Sequence, residues 1–252
     1  MIPIKNKKQI DVMIEGGKKL ALVLKEAKKQ ARVGKSLSSL EDLISKLIEE
    51  QNGKASFKMV SGYRWASCLN INEGVVHGIP GDYKLKKGDL LSIDIGLFYK
   101  GFHTDMAETI LITDKRDRKK EKFLKAGRKA LKLAIDQAKA GNRVGHISQA
   151  IQKELKKAGF TPVKSLTGHG VGRRLHEDPI IPCFFQGRME NTDLIEDGMV
   201  LAIEVIYVQG KPGLVIKDDD WTIETEDGKL AALFEHTVLV RGKRPVVLTA
   251  LN

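Results

Sequence analysis

The chain repeats one order of elements twice, and this repetition limits the folds that are open to it. The text GKKLALVLKEAKKQARVG and the text GRKALKLAIDQAKAGNRVG both close on Arg-Val-Gly, which matches Gly34 of the first copy with Gly145 of the second. Each has apolar residues at helical spacing and is followed by a second amphipathic helix. Strand-like text follows at 90–112, and again at 198–209 and 230–248. The pattern predicts an α+β protein of two pseudo-symmetric halves, whose helix pairs pack on one side of a largely antiparallel sheet.

Local signals mark the second helix of each half. Ser38 with Glu41 three residues later is the pattern of a capping box, and the two helices are expected to end at Gly53 and Gly159. No Pro/Gly/Ser-rich linker divides the chain. Residues 1–252 are therefore expected to form a single domain, with an internal repeat at about 8–112 and 118–248.

The stretch LSIDIGLFYKGFHTDMAETI, residues 91–110, reads as a hairpin that holds two bare carboxylates, Asp94 and Asp105. If its pairing is centred between Tyr99 and Lys100, the two face each other; a centre one residue later makes them diagonal neighbours on one face. Their Cβ atoms are then about 5–8 Å apart. Such carboxylates repel unless a cation lies between them or one Asp faces solvent at the hairpin edge.

Two further carboxylates are embedded in apolar, strand-like text. Glu204 lies in MVLAIEVIYV and Glu235 in LAALFEHTVLV, with no Lys or Arg next to either. One such Glu is readily explained as a charge at a sheet edge. Four embedded carboxylates together favour a hard cation that is coordinated by oxygens.

Six histidines add nitrogen ligands to this inventory. His169 and His176 lie in the glycine-rich stretch TGHGVGRRLHEDP, whose small residues let the backbone approach a site closely, and His77 precedes a turn in NEGVVHGIPGD. His146 opens an amphipathic helix and is interpreted as a surface or capping residue. His103 and His236 neighbour acidic residues in strands, so they are expected to point away from the site and to be structural.

A rival hypothesis uses His103 with Asp105. The text HTD with a distant His is also the pattern of the facial triad of non-haem iron oxygenases. That reading would leave Asp94, Glu204 and Glu235 unexplained, and the helix pairs do not suit a β-sandwich.

Six motifs, in order across about residues 70–240, resemble one known family: NEGVVHGIPGD, LSIDIG, GFHTD, LTGHGVGRRLHEDP, AIEV and FEHT. The chain resembles the type I methionine aminopeptidases, the short bacterial form of these metallopeptidases. The resemblance implies the pita-bread (creatinase/aminopeptidase-like) fold in one catalytic domain. It also implies an exopeptidase that removes the N-terminal methionine from nascent or newly made proteins by dinuclear-metal-assisted hydrolysis.

By that resemblance two divalent metal ions (Mn, Fe, Co or Zn) are held by five ligands: Asp94, Asp105, His169, Glu204 and Glu235. Asp105 and Glu235 would bridge the ions, Asp94 would chelate one, and His169 with Glu204 would hold the other. The α-amine of a substrate that begins with Met would contact one metal.

The resemblance also implies the catalytic roles. Glu204 would be the general base that moves a proton from the attacking water to the leaving amine. His176 would stabilise the developing oxyanion, and His77 would hydrogen-bond near the scissile amide nitrogen. Both histidines therefore count among the substrate-binding residues.

Tyr63, Cys68 and Trp221 are the candidates for the methionine pocket, with Trp65 and Leu175 as further possible members; apolar, polarisable walls suit a thioether. The chain departs from the family pattern at three places. Val205 follows Glu204 where Pro is usual, Leu175 precedes His176 where an aromatic residue is common, and the loop 62–68 looks shorter than typical.

Two relatives with the same ligand set fit less well. Proline-specific peptidases usually carry an extra N-terminal domain, whereas this chain begins its first helix within about ten residues. The larger class of methionine aminopeptidases has a helical insertion between the two closing motifs, and only 30 residues separate Glu204 from Glu235.

Composition bounds the partners. The net charge is +11, with 43 Lys and Arg against 32 Asp and Glu, which suggests either solvated helix faces or attraction to a polyanion such as ribosomal RNA. Ribosome association is thus a hypothesis, and a non-catalytic ribosome-docking protein on the same fold is the alternative to an enzyme. No motif indicates sequence-specific nucleic-acid binding. Two cysteines, no signal sequence and no membrane span predict a cytoplasmic protein.

Overall fold

The computed structural model describes residues 2–113 and 115–251; Met1, Asp114 and Asn252, which the predicted single domain includes, lie outside the described residues. The described helices come in two pairs: α1 (Lys7–Gln30), α2 (Leu37–Glu50), α3 (Arg118–Ile135) and α4 (Val144–Ala158). Two short 3-10 helices are Phe57–Met59 and Met189–Asn191. Within the described ranges, no helix combines the length and apolar character that a membrane crossing needs.

The strands follow in chain order: β1 (Lys54–Ala55), β2 (Ser67–Ile71), β3 (Gly74–Val76), β4 (Leu90–Tyr99), β5 (Phe102–Leu111), β6 (Thr161–Pro162), β7 (Thr167–Gly170), β8 (Glu177–Pro182), β9 (Val200–Val208), β10 (Leu214–Ile216), β11 (Ile223–Thr225), β12 (Ala231–Leu239) and β13 (Val246–Val247). The main sheet has the order β1-β4-β5-β12-β9-β7-β8. A small second sheet has the order β10-β11-β3.

The main sheet is built around the junction of β5 and β12. On one side β5 pairs with β4, which also carries β1 and β2; on the other side β12 pairs with β9, which also carries β6 and β7. The pairings along this path are antiparallel. This symmetric order confirms the predicted α+β class with two pseudo-symmetric halves.

Each helix pair buries its apolar stripe against its own half of the sheet. In the first half, Leu20 and Ile44 pack with the strand residue Ile93. In the second half, Ile147 and Ile151 belong to a core that includes strands β9 and β12. Each fully buried side chain of this size stabilises the fold by about 1.5–3 kcal/mol. The helices therefore cover one face of the sheet and leave the other for a site.

The predicted start of α2 is wrong by two residues. Ser36, not Ser38, is the N-cap, and its hydroxyl accepts the N–H of Ser39 at 3.2 Å. Glu41 does not close a capping box, because its buried carboxylate accepts hydrogen bonds from Ala66 N–H at 2.6 Å and from the Ser67 hydroxyl at 2.6 Å. Glu41 therefore forms tertiary hydrogen bonds with Ala66 and Ser67 in place of the local capping box.

The predicted helix ends and repeat register also need correction. Gly159 caps α4 in the left-handed region (φ 87°), as expected, but α2 ends at Glu50, before Gly53. Gly34 (φ 86°) corresponds to Gly141 (φ 90°) in the turn before the second helix, not to Gly145, which lies inside α4. The bounds 8–112 and 118–248 stay predictions.

Candidate metal centre

The β4–β5 hairpin places its two aspartates as diagonal neighbours. Tyr99 pairs with Phe102, so Asp105 lies opposite Gly96, two residues from Asp94 on the same face. The two turn residues, Lys100 (φ 45°) and Gly101 (φ 89°), both have positive φ, the mark of the tight turn that suits twisted strands. The later of the two predicted pairing centres is therefore the correct one.

The second half of the sheet brings its predicted ligands to the same place. Glu204 on β9 is the direct cross-strand partner of Glu235 on β12. Glu235 in turn pairs with Ala107 of β5, which puts it diagonal to Asp105. His169 on β7 pairs with Ala202 of β9, two residues before Glu204. Together with Asp94 on β4, strand pairing alone thus gathers five side chains from five strands.

The ligand atoms converge in a buried cluster. One atom each from Asp105, His169 and Glu235 lies within 4.8 Å of the others, and Asp105 and Glu235 are only 4% and 3% exposed. The Nε2 atom of His169 lies 3.6 Å from Glu204 Oε1. Asp94 is close enough to Asp105 and Glu204 for their charges to raise its pKa. The five side chains therefore form one group.

The donor atoms of this cluster fit a metal ion. Asp94 Oδ1, Asp105 Oδ1 and Glu235 Oε1 are buried, and among the described residues they have no hydrogen-bond partner. His169 donates from Nδ1 to the carbonyl of Gly170 at 2.8 Å, which leaves the lone pair of Nε2 facing the carboxylates. Buried oxygens without partners are costly unless a cation satisfies them. Four carboxylates and one imidazole are a suitable donor set for a divalent cation.

The protonation states follow from burial. Burial, followed by the charges of neighbouring carboxylates, raises the pKa of Asp94, Glu204 and Glu235 well above the usual range. Burial also raises the pKa of Asp105 to about 7. Burial, and then the nearby His176, lowers the pKa of His169 to about 4. His169 is therefore neutral at pH 7, the state in which imidazole coordinates a metal.

His77 and His176 line a cleft that opens from this cluster. The cleft has a volume of about 520 Å³ and shares His169 and Glu204 with the carboxylate group. The rings of His169 and His176 have centroids 4.4 Å apart. Burial lowers the pKa of both His77 and His176, so both are neutral N–H donors or acceptors at pH 7. His77 has a positive φ of 58°, a strained conformation that is common at functional sites.

Of the three remaining histidines, two lie as expected and one does not. His146 accepts the N–H of Arg143 at 3.0 Å and caps α4, and His236 binds the Thr249 hydroxyl on the face opposite Glu235, both as expected. The prediction that His103 points away is wrong, because it lies two residues from Asp105 and so shares its face.

The contacts of His103 do not support the rival iron-binding triad of His103 with Asp105. His103 Nδ1 bonds to the Ser56 hydroxyl at 2.9 Å, and the ligand group that converges on Asp105 contains His169 instead.

A larger cavity of about 700 Å³ lies behind the sheet between the helix pairs and is lined by Met106, Phe234 and His236. It opens away from the carboxylates.

A small pocket of about 160 Å³ adjoins the carboxylates and contains the predicted apolar walls. Tyr63, Cys68, Trp221 and Leu175 all line it. The Tyr63 and Trp221 rings meet edge to face with centroids 5.0 Å apart. The Tyr63 hydroxyl donates to the Ser67 carbonyl at 2.9 Å, which fixes its ring. The predicted pocket residues are thus gathered at one wall.

Trp65 is placed differently from the other pocket candidates. It packs edge to face on Tyr63, with centroids 5.2 Å apart, and supports that ring from outside the wall. Phe57 and Val60 do line the pocket, and the sequence analysis missed them. They lie in and just after a single 3-10 turn, where apolar residues show no helical or strand periodicity. Their only signal is two apolar residues in a short connection.

Two of the sequence departures, Val205 and Leu175, are accommodated within the fold. Val205, where the family usually has Pro, is a buried residue that pairs with Phe234 in the unbroken strand β9. Leu175 takes the place of an aromatic residue and is 8% exposed in the apolar cluster around Tyr63.

Comparisons with known proteins identify the relatives of this chain. Residues 11–242 match the model of metallopeptidase family M24. The chain is 37% identical to a methionine aminopeptidase of Clostridium perfringens over 252 residues, all of both chains, and 39% identical to methionine aminopeptidase 1 of Bacillus subtilis over 240 residues, 95% of this chain and 96% of the other. The crystal structure of a methionine aminopeptidase from Thermotoga maritima superposes with a TM-score of 0.95 at 38% identity and covers all of both chains. This superposition confirms the expected pita-bread fold.

Proposed function

We propose a function from one premise: this chain belongs to metallopeptidase family M24, and within it to the methionine aminopeptidases. It is a hydrolase that removes the N-terminal methionine from peptides and proteins. The observation that carries the proposal is the buried convergence of Asp105, His169 and Glu235, with Asp94 and Glu204 beside them. Buried carboxylates this close together repel one another, and a bound metal cation offsets that repulsion.

We assign the two-ion site to the same five ligands: Asp94, Asp105, His169, Glu204 and Glu235. Asp105 and Glu235, which lie diagonal to each other at the β5–β12 junction, would be shared between the two ions. When bound, the divalent ions supply the Lewis acidity that acidifies a water molecule and polarises the substrate carbonyl. Mn, Fe and Co suit this donor set, and it accommodates Zn as well.

Glu204 is the proton carrier of the mechanism. Its carboxylate lies beside His169 and lines the cleft, where it can accept a proton from the attacking water. Burial raises the pKa of Glu204, which favours holding that proton until the amine leaves. The proton then passes to the nitrogen of the departing peptide.

The two cleft histidines bind the reacting amide. His176, neutral and next to His169, donates an N–H to the carbonyl oxygen as negative charge develops on it. His77, on the other wall of the cleft, hydrogen-bonds near the scissile nitrogen. Both interactions hold the first peptide bond in place beside Glu204.

The methionine side chain occupies the small pocket of Tyr63, Cys68 and Trp221. Aromatic faces and a thiol suit a thioether. Burial raises the pKa of the Cys68 thiol, so it stays uncharged and does not attract polar side chains. Leu175 closes the same wall.

Location and partners complete the proposal. The catalytic unit is a single domain that acts in the cytoplasm on N-termini that begin with Met. The net charge of +11 supports weak association with ribosomal RNA, without sequence-specific nucleic-acid binding. Co-sedimentation with ribosomes that falls as salt rises is the expected result, and absent or salt-insensitive co-sedimentation contradicts it.

A release assay tests the activity. The purified protein is stripped of metal, supplied with Mn, Fe, Co or Zn, and given peptides that begin with Met-Gly, Leu-Gly or Ala-Pro. We expect metal-dependent release of methionine alone. Release from Ala-Pro peptides would indicate a proline-specific peptidase, and no release with any ion would favour a binding protein on the same fold.

A further inference from the structure

The N-terminal segment places a buried lysine under the loop that carries His176. Lys5 Nζ lies 2.8 Å from Glu177 Oε2, and both side chains are 4% exposed. The main chain of Lys5 is fixed too, because its N–H donates to the carbonyl of Gly198 at 2.9 Å. Lys5 is thus held at both its backbone and its charged end.

Glu177 uses its second oxygen to hold the same loop. Its Oε1 atom accepts the N–H of Arg174 at 3.1 Å, and the carbonyl of Arg174 accepts the N–H of Gly172 at 3.1 Å. The Lys5 stem crosses Gly172 so closely that a Cβ there would come within 2.6 Å of Lys5 Cε. The lysine, the glutamate and the loop therefore form one packed unit.

This unit sets the direction of His176. Burial alternates along the segment: Leu175 and Glu177 are buried, while His176 between them faces the cleft beside His169. Leu175 is anchored in the apolar pocket wall and Glu177 is anchored by Lys5. With both neighbours fixed, the imidazole has little freedom to turn away.

We propose that Lys5 is a positioning residue: through Glu177 it holds residues 172–177 so that the His176 imidazole meets the carbonyl oxygen of the scissile bond. The inference rests on the proposed function, because it assigns Lys5 to the step in which His176 acts. Lys5 itself touches neither substrate nor metal ligand.

The expected effect follows from the burial of the pair. Removing one partner of a buried ion pair leaves an uncompensated charge that draws in water or moves to solvent. In Lys5→Met, the carboxylate of Glu177 is that charge, and its movement releases the loop. A displacement of about 1 Å in a catalytic group reduces turnover by about 10²-fold.

Steady-state kinetics with a Met-Gly peptide at saturating metal provide the first test. We expect Lys5→Met to lower kcat by about 10²-fold and to change KM little, because the methionine pocket is built by other elements. Lys5→Arg keeps the cation and should restore much of kcat. The matched control is Lys100→Met, which removes the exposed ion pair (3.1 Å) between Lys100 of the β4–β5 turn and Glu15 of helix α1 and should leave kcat unchanged.

Amide hydrogen exchange on the metal-free proteins provides a second test that needs no turnover. Exchange of residues 172–177 should be faster in Lys5→Met than in wild type, and unchanged in Lys100→Met. This measurement still tests the proposal if the wild type releases no methionine, a result that would defeat the proposed function instead.

Three results would overturn the inference: wild-type kcat in a folded Lys5→Met protein, unchanged exchange of the loop, or an equal loss of kcat in Lys100→Met. If Lys5→Met does not fold, Lys5→Gln replaces it, since the neutral amide removes the charge that pairs with Glu177 and the shorter side chain does not reach as far as Nζ. A reduced kcat in that variant supports the proposal, and a wild-type kcat overturns it.

Discussion

Glu204 and Glu235 face each other directly across strands β9 and β12, in the interior of the main sheet. Like charges at such a pair are destabilising, and burial makes them more so. Asp105 adds a third carboxylate, whose oxygen lies within 4.8 Å of a Glu235 oxygen. The fold therefore carries an electrostatic penalty that a divalent cation removes, and the stability of the metal-free protein should reveal it.

The metal-free protein should lose stability as pH rises. Burial raises the pKa of Asp105 from 3.8 to about 7, so between these values the folded state holds a proton that the unfolded chain has released. The free energy of unfolding then falls as pH rises from about 4 to about 7, and Asp105 alone contributes about 4 kcal/mol to that fall. Thermal unfolding in a chelator from about pH 5 to 8 checks this. A melting temperature that rises over that range contradicts it.

Asp105→Asn should separate stability from activity. The change removes one of the repelling charges with little change in shape, so the metal-free variant should be more stable than metal-free wild type at pH 8. Added Mn²⁺ should raise its melting temperature much less, and turnover should fall by at least about 10²-fold. Asp42→Asn, an exposed position, is the control. Retained turnover in Asp105→Asn defeats the ligand assignment.

Glu41→Ala should weaken both the fold and the pocket. Glu41 accepts hydrogen bonds from Ala66 and Ser67 and so holds the start of β2, which carries Cys68. Leaving these buried donors unpaired should lower the free energy of unfolding by about 3 kcal/mol and raise KM for Met peptides. Denaturant unfolding and peptide kinetics measure the two effects. The exposed neighbour change Asp42→Ala should show neither, and equal effects in both variants would refute the assignment.

The two tryptophans should differ in substrate binding. Trp221 lines the pocket, so Trp221→Ala should raise KM for Met-Gly peptides at least about tenfold. Trp65 only supports Tyr63 from outside, so Trp65→Ala should leave KM close to the wild-type value. Peptide kinetics of both variants decide between them. The account fails here if Trp65→Ala has the larger effect.

The four carboxylates of the cluster were predictable because charges in apolar strands have few explanations, whereas the predicted role of His169 came from the family resemblance. The hairpin that carries Asp94 and Asp105 follows from alternation and a turn, and only its centre was open. The convergence of these side chains also depends on the order of the strands in the sheet, and the sequence of each separate segment does not specify that order. The direct cross-strand pairing of Glu204 with Glu235 is a property of the folded sheet and could not be predicted from the two segments alone.

The errors have physical reasons. Ser36 and Ser38 are both residue types that suit an N-cap. Ser36 is the N-cap in the structure, and Glu41 is not free to form a capping box with Ser38 because it accepts a hydrogen bond from the distant amide of Ala66. The shared Arg-Val-Gly sequence matches Gly34 with Gly145, whereas the positive φ angles in the turns before α2 and α4 match Gly34 with Gly141. Residues such as Phe57, in a single 3-10 turn, have no period to reveal them.

Anomalous diffraction from a crystal grown with Mn²⁺ tests the central claim most directly. The account predicts two manganese peaks enclosed by Asp94, Asp105, His169, Glu204 and Glu235. Manganese absent from these side chains at saturating concentration, or bound elsewhere on the protein, would contradict it.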